Sequence, residues 1–233
     1  MRRTLSTLAL FLIFAGCSPG DRAAVPAQAA APAPAAVSKP SAPADESEPL
    51  VVFLGDSLTA GYGLEAEQAY PDLVEERLEE KGIAVRTLNA GVSGDTTAGG
   101  LARLDWLLSQ EPDVVVVGLG GNDGLRGLPV EQADRNLREI VRRAKAAGAR
   151  VLLLGMQIPP NYGPEYTKAF SGMYPRIAKE MDIPLVPFAL EGVGGVAELN
   201  QEDGIHPTAE GQEIVADLVA PYVAEVLKER AAG

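Results

Sequence analysis

The chain has 233 residues, 46% of them hydrophobic, and a formal net charge of −12. That is enough apolar material for one ordinary α/β domain with extensions, and so acidic a balance argues against nucleic acid and against electrostatic docking on an anionic lipid surface. One cysteine, Cys17, excludes an internal disulfide, and a single histidine, His206, with no Cys/His cluster argues against a zinc site.

Arg2 and Arg3 precede an apolar run from Leu8 to Ala15 that stops at Gly16-Cys17. A basic start, a short apolar core and small residues at its end describe a secretory signal over 1–16, too short for a membrane span. Beyond it no apolar stretch reaches the length that crosses a bilayer. Phe14-Ala15-Gly16-Cys17 resembles a bacterial lipoprotein cleavage box, with Phe14 where leucine is usual. The resemblance implies that Cys17 is acylated and becomes the new amino terminus; the other reading is an ordinary signal peptide with a chance cysteine. Two or more acyl chains hold a protein stably on a membrane where one does not. By the same resemblance Ser18 favours the outer membrane, so an exported, lipid-anchored protein of the periplasm or cell envelope is expected. Residues 18–49 are mostly Ala, Pro and Ser, too poor in large apolar side chains to fold. This tether of 32 residues reaches at most roughly 100 Å at about 3.1 Å per residue.

From residue 50 the pattern changes. Leu50 to Leu54 run directly into Gly55-Asp56-Ser57-Leu58, an unbroken apolar stretch ended by glycine, which reads as a strand buried on both faces. Gly55 allows a sharp turn, after which Asp56 or Ser57 begins a helix. A serine there sits at the carboxyl edge of a sheet, where open α/β folds place ligands, or simply caps a helix. Strands are expected at 50–55, 83–89, 113–119, 150–155 and 183–188, and helices at 70–81, 97–109, 130–147, about 165–181 and 207 to about 229. In the last helix Ile214, Val215, Leu218, Val219, Tyr222, Val223, Val226 and Leu227 form one apolar stripe, and Pro221 inside it predicts a kink. Five strands alternating with helices imply a parallel sheet covered on both sides, a three-layer α/β/α sandwich over 50–233. The arginines of 135–150 and Glu75, Glu76, Glu79 and Glu80 read as solvated helix faces. Trp106, near Leu104 and Leu107, reads as core or pocket wall.

Polar residues collect after the strands: Asn89 to Thr97 after the second, Gly120-Gly121-Asn122-Asp123-Gly124 after the third, and Asp203-Gly204-Ile205-His206-Pro207 near the carboxyl end. Glycines in such places free backbone N–H groups for a ligand, or only make turns. Pro207 disfavours a helical His206 and suits the first helical position, so His206 stands just before the last helix with Asp203 on the same side. An aspartate there can hold one ring nitrogen and leave the other free as a base. The helix dipole disfavours the imidazolium and Asp203 favours it, so the two effects oppose. Gly118, Gly120 and Gly124 do not form a dinucleotide fingerprint, no phosphate-loop lysine follows any glycine run, and Thr59 stands where a nucleophile elbow needs glycine. No cofactor is expected.

Taken together, GDSL at 55–58, Gly94 within VSGDTT at 92–97, GGND at 120–123 and the Asp203-x-x-His206 pair resemble the four ordered blocks of the SGNH (GDSL) hydrolase family. LGGNDGLRG at 119–127, GLARL at 100–104, PNYG at 160–163 and EDGIHP at 202–207 are most similar to its bacterial arylesterase, thioesterase I and lysophospholipase subgroup. The resemblance implies a flavodoxin-like sheet order. It makes Ser57 the nucleophile, His206 the base and Asp203 its orienter, with an oxyanion hole from the Ser57 and Gly94 N–H groups and the Asn122 amide. It implies metal-independent hydrolysis of carboxylic esters or thioesters, lysophospholipid among them; a monomer is expected, though the sequence itself does not fix the oligomeric state. The loops 124–129 and 156–163 carry Leu125, Leu128, Met156 and Ile158 as the expected acyl pocket, or are merely long loops. Two other readings stay open: a carbohydrate O-acetyl esterase with a smaller, polar pocket, and a catalytically silent lipoprotein that binds envelope components.

Overall fold

The computed structural model describes residues 47–231, so the signal segment, Cys17 and most of the tether lie outside the described residues. Within it β1 (Leu50–Gly55), β2 (Arg86–Gly91), β3 (Val114–Gly118), β4 (Arg150–Leu154) and β5 (Leu185–Val186) pair in parallel in the order β2-β1-β3-β4-β5. Val51 to Leu54, Val114 to Val117 and Val151 to Leu154 are each at most 2% exposed, which is why unbroken apolar runs rather than alternating ones encode these strands. The helices are α1 (Tyr70–Glu79), α2 (Thr97–Leu108), α3 (Gly121–Leu125), α4 (Val130–Ala146), α5 (Pro164–Met181) and α6 (Ala209–Ala231). α1 packs on α6, while α4 lies between α2 and α5 in the second helical layer. The sandwich expected from the strand–helix alternation is the one observed.

Local chemistry explains where the elements depart from expectation. β5 keeps only two residues, because Pro184 and Pro187 flank it and neither can donate to a ladder. β2 starts at Arg86, whose N–H donates to the Pro49 carbonyl at 2.9 Å; before it, Ile83 is still tied back to Leu78 of α1 at 2.9 Å. α6 starts at Ala209 and not at Pro207, because Pro207 forms an antiparallel bridge with Asn200 and Thr208 Oγ1 accepts from Gly211 N–H at 3.3 Å. Trp106 is 51% exposed and belongs neither to the core nor to a pocket wall: the buried stripe of α2 runs through Gly100, Leu104 and Leu107, and position 106 points away from it. Three of the four arginines of α4 are partnered, Arg138 with Asp134 and Glu180, Arg142 with Glu139, and Arg143 with Asp105. They form a solvated face and not a basic patch. The apolar stripe of α6 is buried or half-buried along its length, with Pro221 on the exposed side.

One buried charge works against the fold. Asp72, in the first turn of α1, has an Oδ2 atom that is buried with no hydrogen-bond partner. Burial, helped by nearby Glu75, pushes its carboxyl up to about 6. A raised folded-state value means that the native chain holds the proton more tightly than the unfolded chain between about pH 4 and 6, so stability falls as pH rises through that window. Asp72→Asn should therefore stabilise the protein at about pH 8 by on the order of 1 kcal/mol after discounting for its partial exposure, roughly 2–4 °C in Tm. The gain should vanish near pH 4.5, where wild type is already protonated; an equal gain at both pH values in thermal melts contradicts this account.

Candidate active site

β1, β2 and β3 end in register on glycines, with Gly55 opposite both Gly91 and Gly118. A Cβ at Gly55 would stand 1.8 Å from Thr59 Oγ1, and one at Gly91 would stand 2.2 Å from the backbone nitrogen of Ala60. The chain after β1 thus folds back across the ends of its own sheet. Ala60 N–H donates to the Asp56 carbonyl and Tyr62 N–H to the Ser57 carbonyl, both at 3.0 Å. No regular helix follows, in contrast to expectation, because Gly61 (φ 66°) and Gly63 (φ 78°) turn the chain out of helical space. Ser57 is left half-buried on this single turn at the carboxyl edge of the sheet.

His206 arrives from the other end of the chain, and two glutamines hold it there. Gln212, 2% exposed on α6, donates from Nε2 to the Leu58 carbonyl at 3.1 Å and accepts Tyr70 N–H at 3.0 Å. Gln201 donates its N–H to the His206 carbonyl at 2.7 Å, and its Nε2 to the carbonyls of Tyr62 at 2.7 Å and Pro207 at 3.0 Å. With the loops so tied, His206 Nε2 lies 2.9 Å from Ser57 Oγ and its Nδ1 lies 2.7 Å from Asp203 Oδ2. Asp203 Oδ1 also accepts the N–H groups of Ile205 and His206, both at 3.0 Å. The hydrogen bond from His206, with help from these amides, pulls the Asp203 carboxyl down to about 2. An ionised Asp203 only accepts, so Nδ1 is the nitrogen that carries a proton, and the tautomer so selected turns its Nε2 lone pair to the Ser57 hydroxyl. Tyr62 covers one face of the imidazole with ring centroids 4.5 Å apart.

A third group of residues is tied to the serine turn through Asp56, the residue before Ser57. Gly94 (φ 81°) stands in the loop after β2, and Asn122 lies in the one-and-a-half-turn helix α3, opened by the left-handed Gly120. Among the described residues neither the Ser57 N–H nor the Gly94 N–H has a hydrogen-bond partner, and Asn122 Nδ2 uses one of its two protons, donated to Asp56 Oδ2 at 3.3 Å. Three supports fix this rim. Arg103 donates to Asp95 Oδ2 and to the Gly55 carbonyl, both at 2.8 Å. Asp123 accepts the Thr97 N–H at 2.8 Å and its hydroxyl at 2.6 Å, tying α3 to the start of α2. Arg126 Nη2 donates to the Gly94 carbonyl at 2.7 Å. The roles of Asp56, Tyr62, Arg103, Arg126 and Gln212 were not read from the sequence. GLARL and LGGNDGLRG contain two of these residues, but nothing in either block names the partner across the fold.

The expected acyl-pocket residues separate. Met156 is 4% exposed and lines a small, partly enclosed cavity of about 10 Å³, room for about one water, with Leu58, Thr59, Leu154, Pro207 and Gln212. It continues the buried run of β4 and packs under the Ser57 turn. Leu125 is exposed, and Leu128 and Ile158 are half-buried, Ile158 where a side chain on Gly124 would clash with it. Tyr162 hydroxyl donates to the Leu125 carbonyl at 2.8 Å and Tyr166 hydroxyl to that of Leu128 at 2.6 Å, so the two expected loops are joined. Beside them an open cleft of about 630 Å³ is lined by Pro129, Val130, Tyr162, Pro164, Tyr166 and Ala169. Among the described residues no group of three or more His, Cys, Asp or Glu side chains is placed to hold a metal ion.

Known proteins share this arrangement of elements. Residues 53–214 match the GDSL-like Lipase/Acylhydrolase family. The chain is 48% identical over 178 residues to "Esterase TesA" of Pseudomonas aeruginosa, covering 76% of this chain and 89% of that one. It is 47% identical over 171 residues to "Thioesterase 1/protease 1/lysophospholipase L1" of Escherichia coli, covering 73% of this chain and 81% of that one. The crystal structure of the psychrotrophic esterase EstA from Pseudoalteromonas sp., inhibited by monoethylphosphonate, superimposes with a TM-score of 0.74 at 36% identity, covering 78% of this chain and all of that one (100%). On the strength of a match running from within β1 to within α6, and of the relative at 48% identity, the chain belongs to the GDSL-like lipase/acylhydrolase family.

Proposed function

We propose that this protein is a serine esterase that hydrolyses carboxylic esters or thioesters through an acyl-enzyme on Ser57. The observation that carries the reading is the unbroken line Ser57 Oγ, His206 ring, Asp203 carboxylate, together with the Ser57 and Gly94 N–H groups and one Asn122 Nδ2 proton, which have no hydrogen-bond partner among the described residues. His206 Nε2 takes the hydroxyl proton as Oγ attacks the acyl carbon. The carbonyl oxygen becomes an oxyanion and accepts from the Ser57 and Gly94 N–H groups and from Asn122 Nδ2, donors that are in place beforehand. The imidazolium, steadied by Asp203 at Nδ1, then protonates the leaving alcohol or thiol, and the same nitrogen later activates water to free the acid. Each step uses a group of this chain, and no metal enters. The similarity to an esterase and to a thioesterase/lysophospholipase supports the substrate class. The acyl chain runs past Leu125, Leu128 and Ile158, and the anchor at Cys17 puts the site at the surface of an envelope membrane.

Ser57→Ala should abolish turnover, and a fluorophosphonate probe should label wild type at Ser57; folded wild type that takes no label would favour the silent lipoprotein. Asn122→Ala should lower kcat roughly 100- to 1000-fold on a p-nitrophenyl ester, the usual scale for one oxyanion donor, and near-normal turnover would remove Asn122 from the hole. Across p-nitrophenyl esters from acetate to decanoate, kcat/KM should hold or rise with chain length; a sharp maximum at acetate would point to the O-acetyl esterase. In detergent partitioning, wild type should enter the detergent phase and Cys17→Ser the aqueous one; identical behaviour counts against the lipid anchor.

A further inference from the structure

Asp56 is a charged group that the mechanism above does not use. It directly precedes Ser57, is 2% exposed, and spends its two oxygens on different jobs. Oδ1 accepts the Leu58 N–H at 3.1 Å, which shapes the serine turn; Oδ2 accepts from Asn122 Nδ2 at 3.3 Å, across 66 residues of sequence. Burial pushes its carboxyl up to about 6, against the pull of the Leu58 amide, so the buried carboxylate costs stability near neutral pH. A carboxylate that is expensive to keep and that touches a donor of the site calls for a reason other than packing.

The reason lies in the symmetry of an amide. An asparagine side chain presents a carbonyl on one edge and an NH2 on the other, nearly equal in shape, and a half-turn exchanges them. Turned one way, Asn122 offers a proton to a developing oxyanion; turned the other, it offers a second oxygen and repels it. No other hydrogen bond of the Asn122 side chain exists among the described residues, so its own helix does not choose. An ionised Asp56 does choose, because it accepts and cannot donate: it holds the Nδ2 edge and rejects the Oδ1 edge. One Nδ2 proton is spent on Asp56 and the second is left free. We infer that Asp56 is a positioning residue that locks the side-chain amide of Asn122 in its donating orientation. The inference rests on Asn122 serving as an oxyanion donor.

Asp56→Asn separates this role from support of the turn. The new side chain keeps an oxygen for the Leu58 N–H but replaces Oδ2 with an NH2, which pairs with Asn122 Oδ1 and favours the flipped amide. On a p-nitrophenyl ester kcat should fall at least tenfold, toward the level of Asn122→Ala, with KM nearly unchanged. In an Asn122→Ala background the same substitution should change kcat less than twofold, because the group it acts through is gone. Losses that multiply in the double variant, or a kcat kept within twofold in the single one, overturn the inference. Near-normal turnover of Asn122→Ala alone removes the oxyanion reading and this one together, whereas a normal loss there with multiplying losses removes only this one. Should Asp56→Asn not fold, the wild-type NMR signals of the Asn122 NH2, assigned by their disappearance in Asn122→Ala, decide. One proton shifted downfield and slow to exchange supports the lock, and two protons at free-amide positions overturn it.

Discussion

The site depends on a close approach of the chain after β1 to the ends of its own sheet. Where β1, β2 and β3 end together, the chain at Thr59 and Ala60 occupies the space that side chains at positions 55 and 91 would fill. Glycine at strand ends carries an entropic cost in the unfolded chain, and here it permits something no other residue allows: Ser57 sits on a turn pressed flat against the sheet edge. The polar atoms buried by that contact are satisfied, Thr59 Oγ1 with the Tyr70 hydroxyl at 2.9 Å and the Leu58 carbonyl with Gln212. A buried turn with these groups unpaired would lose on the order of 1–3 kcal/mol for each.

The second half of the site is delivered by a helix packed a long way off. α6 docks through an apolar stripe that buries Val215, Val219, Val223 and Val226, each contributing roughly 1.5–3 kcal/mol by leaving water. Arg77 of α1 bonds Asp217 at 2.8 Å and also Glu213, but such partly exposed pairs contribute about 0–1 kcal/mol and set direction more than strength. Docking of α6 places Gln212 under the Ser57 turn, and the loop ahead of the helix then has little freedom in where it puts His206. The 2.9 Å contact between His206 and Ser57 is in this sense a consequence of helix packing.

The sheet was legible in the sequence because both-face burial writes itself as unbroken apolar runs, as in Val114 to Val117. Ser57 was legible because a glycine-ended strand exposes the next residues at an edge, and Asp203 with His206 because both lie within one turn ahead of a proline. What escaped was everything that depends on a partner far away in the chain. Asp56 and Asn122, Gln212 and Leu58, and Arg103 and Gly55 meet only after the sheet has formed, and no periodicity announces them. α3 spans five residues, fewer than a period can register. The burial of Met156 escaped for a related reason: the position beyond a strand alternates between inside and outside, and packing beside Gln212 and Val215 of α6 decides that it faces in. Trp106 shows the converse, a large aromatic side chain left on the surface because its position on α2 lies off the stripe through Gly100, Leu104 and Leu107.

Two aspartates flank the serine–histidine contact, and their environments drive them apart. Asp203 is in large part open to solvent, with its side chain 40% exposed, yet hydrogen bonds from His206 and two amides hold it down to about 2. Asp56 is buried, and loss of solvent raises it to about 6 in spite of its amide partners. One residue type thereby serves two needs. In the proposed mechanism, a group that must steady a positive charge arising and vanishing on His206 during each turnover does best firmly ionised and well solvated. A group that must only tell one edge of an amide from the other needs a fixed acceptor at short range, and burial supplies fixity at the expense of ionisation. Exchanging the two environments would spoil both: a buried carboxylate at position 203 would resist ionisation while facing a neutral ring, and a solvated one at position 56 would let water compete for the Asn122 amide.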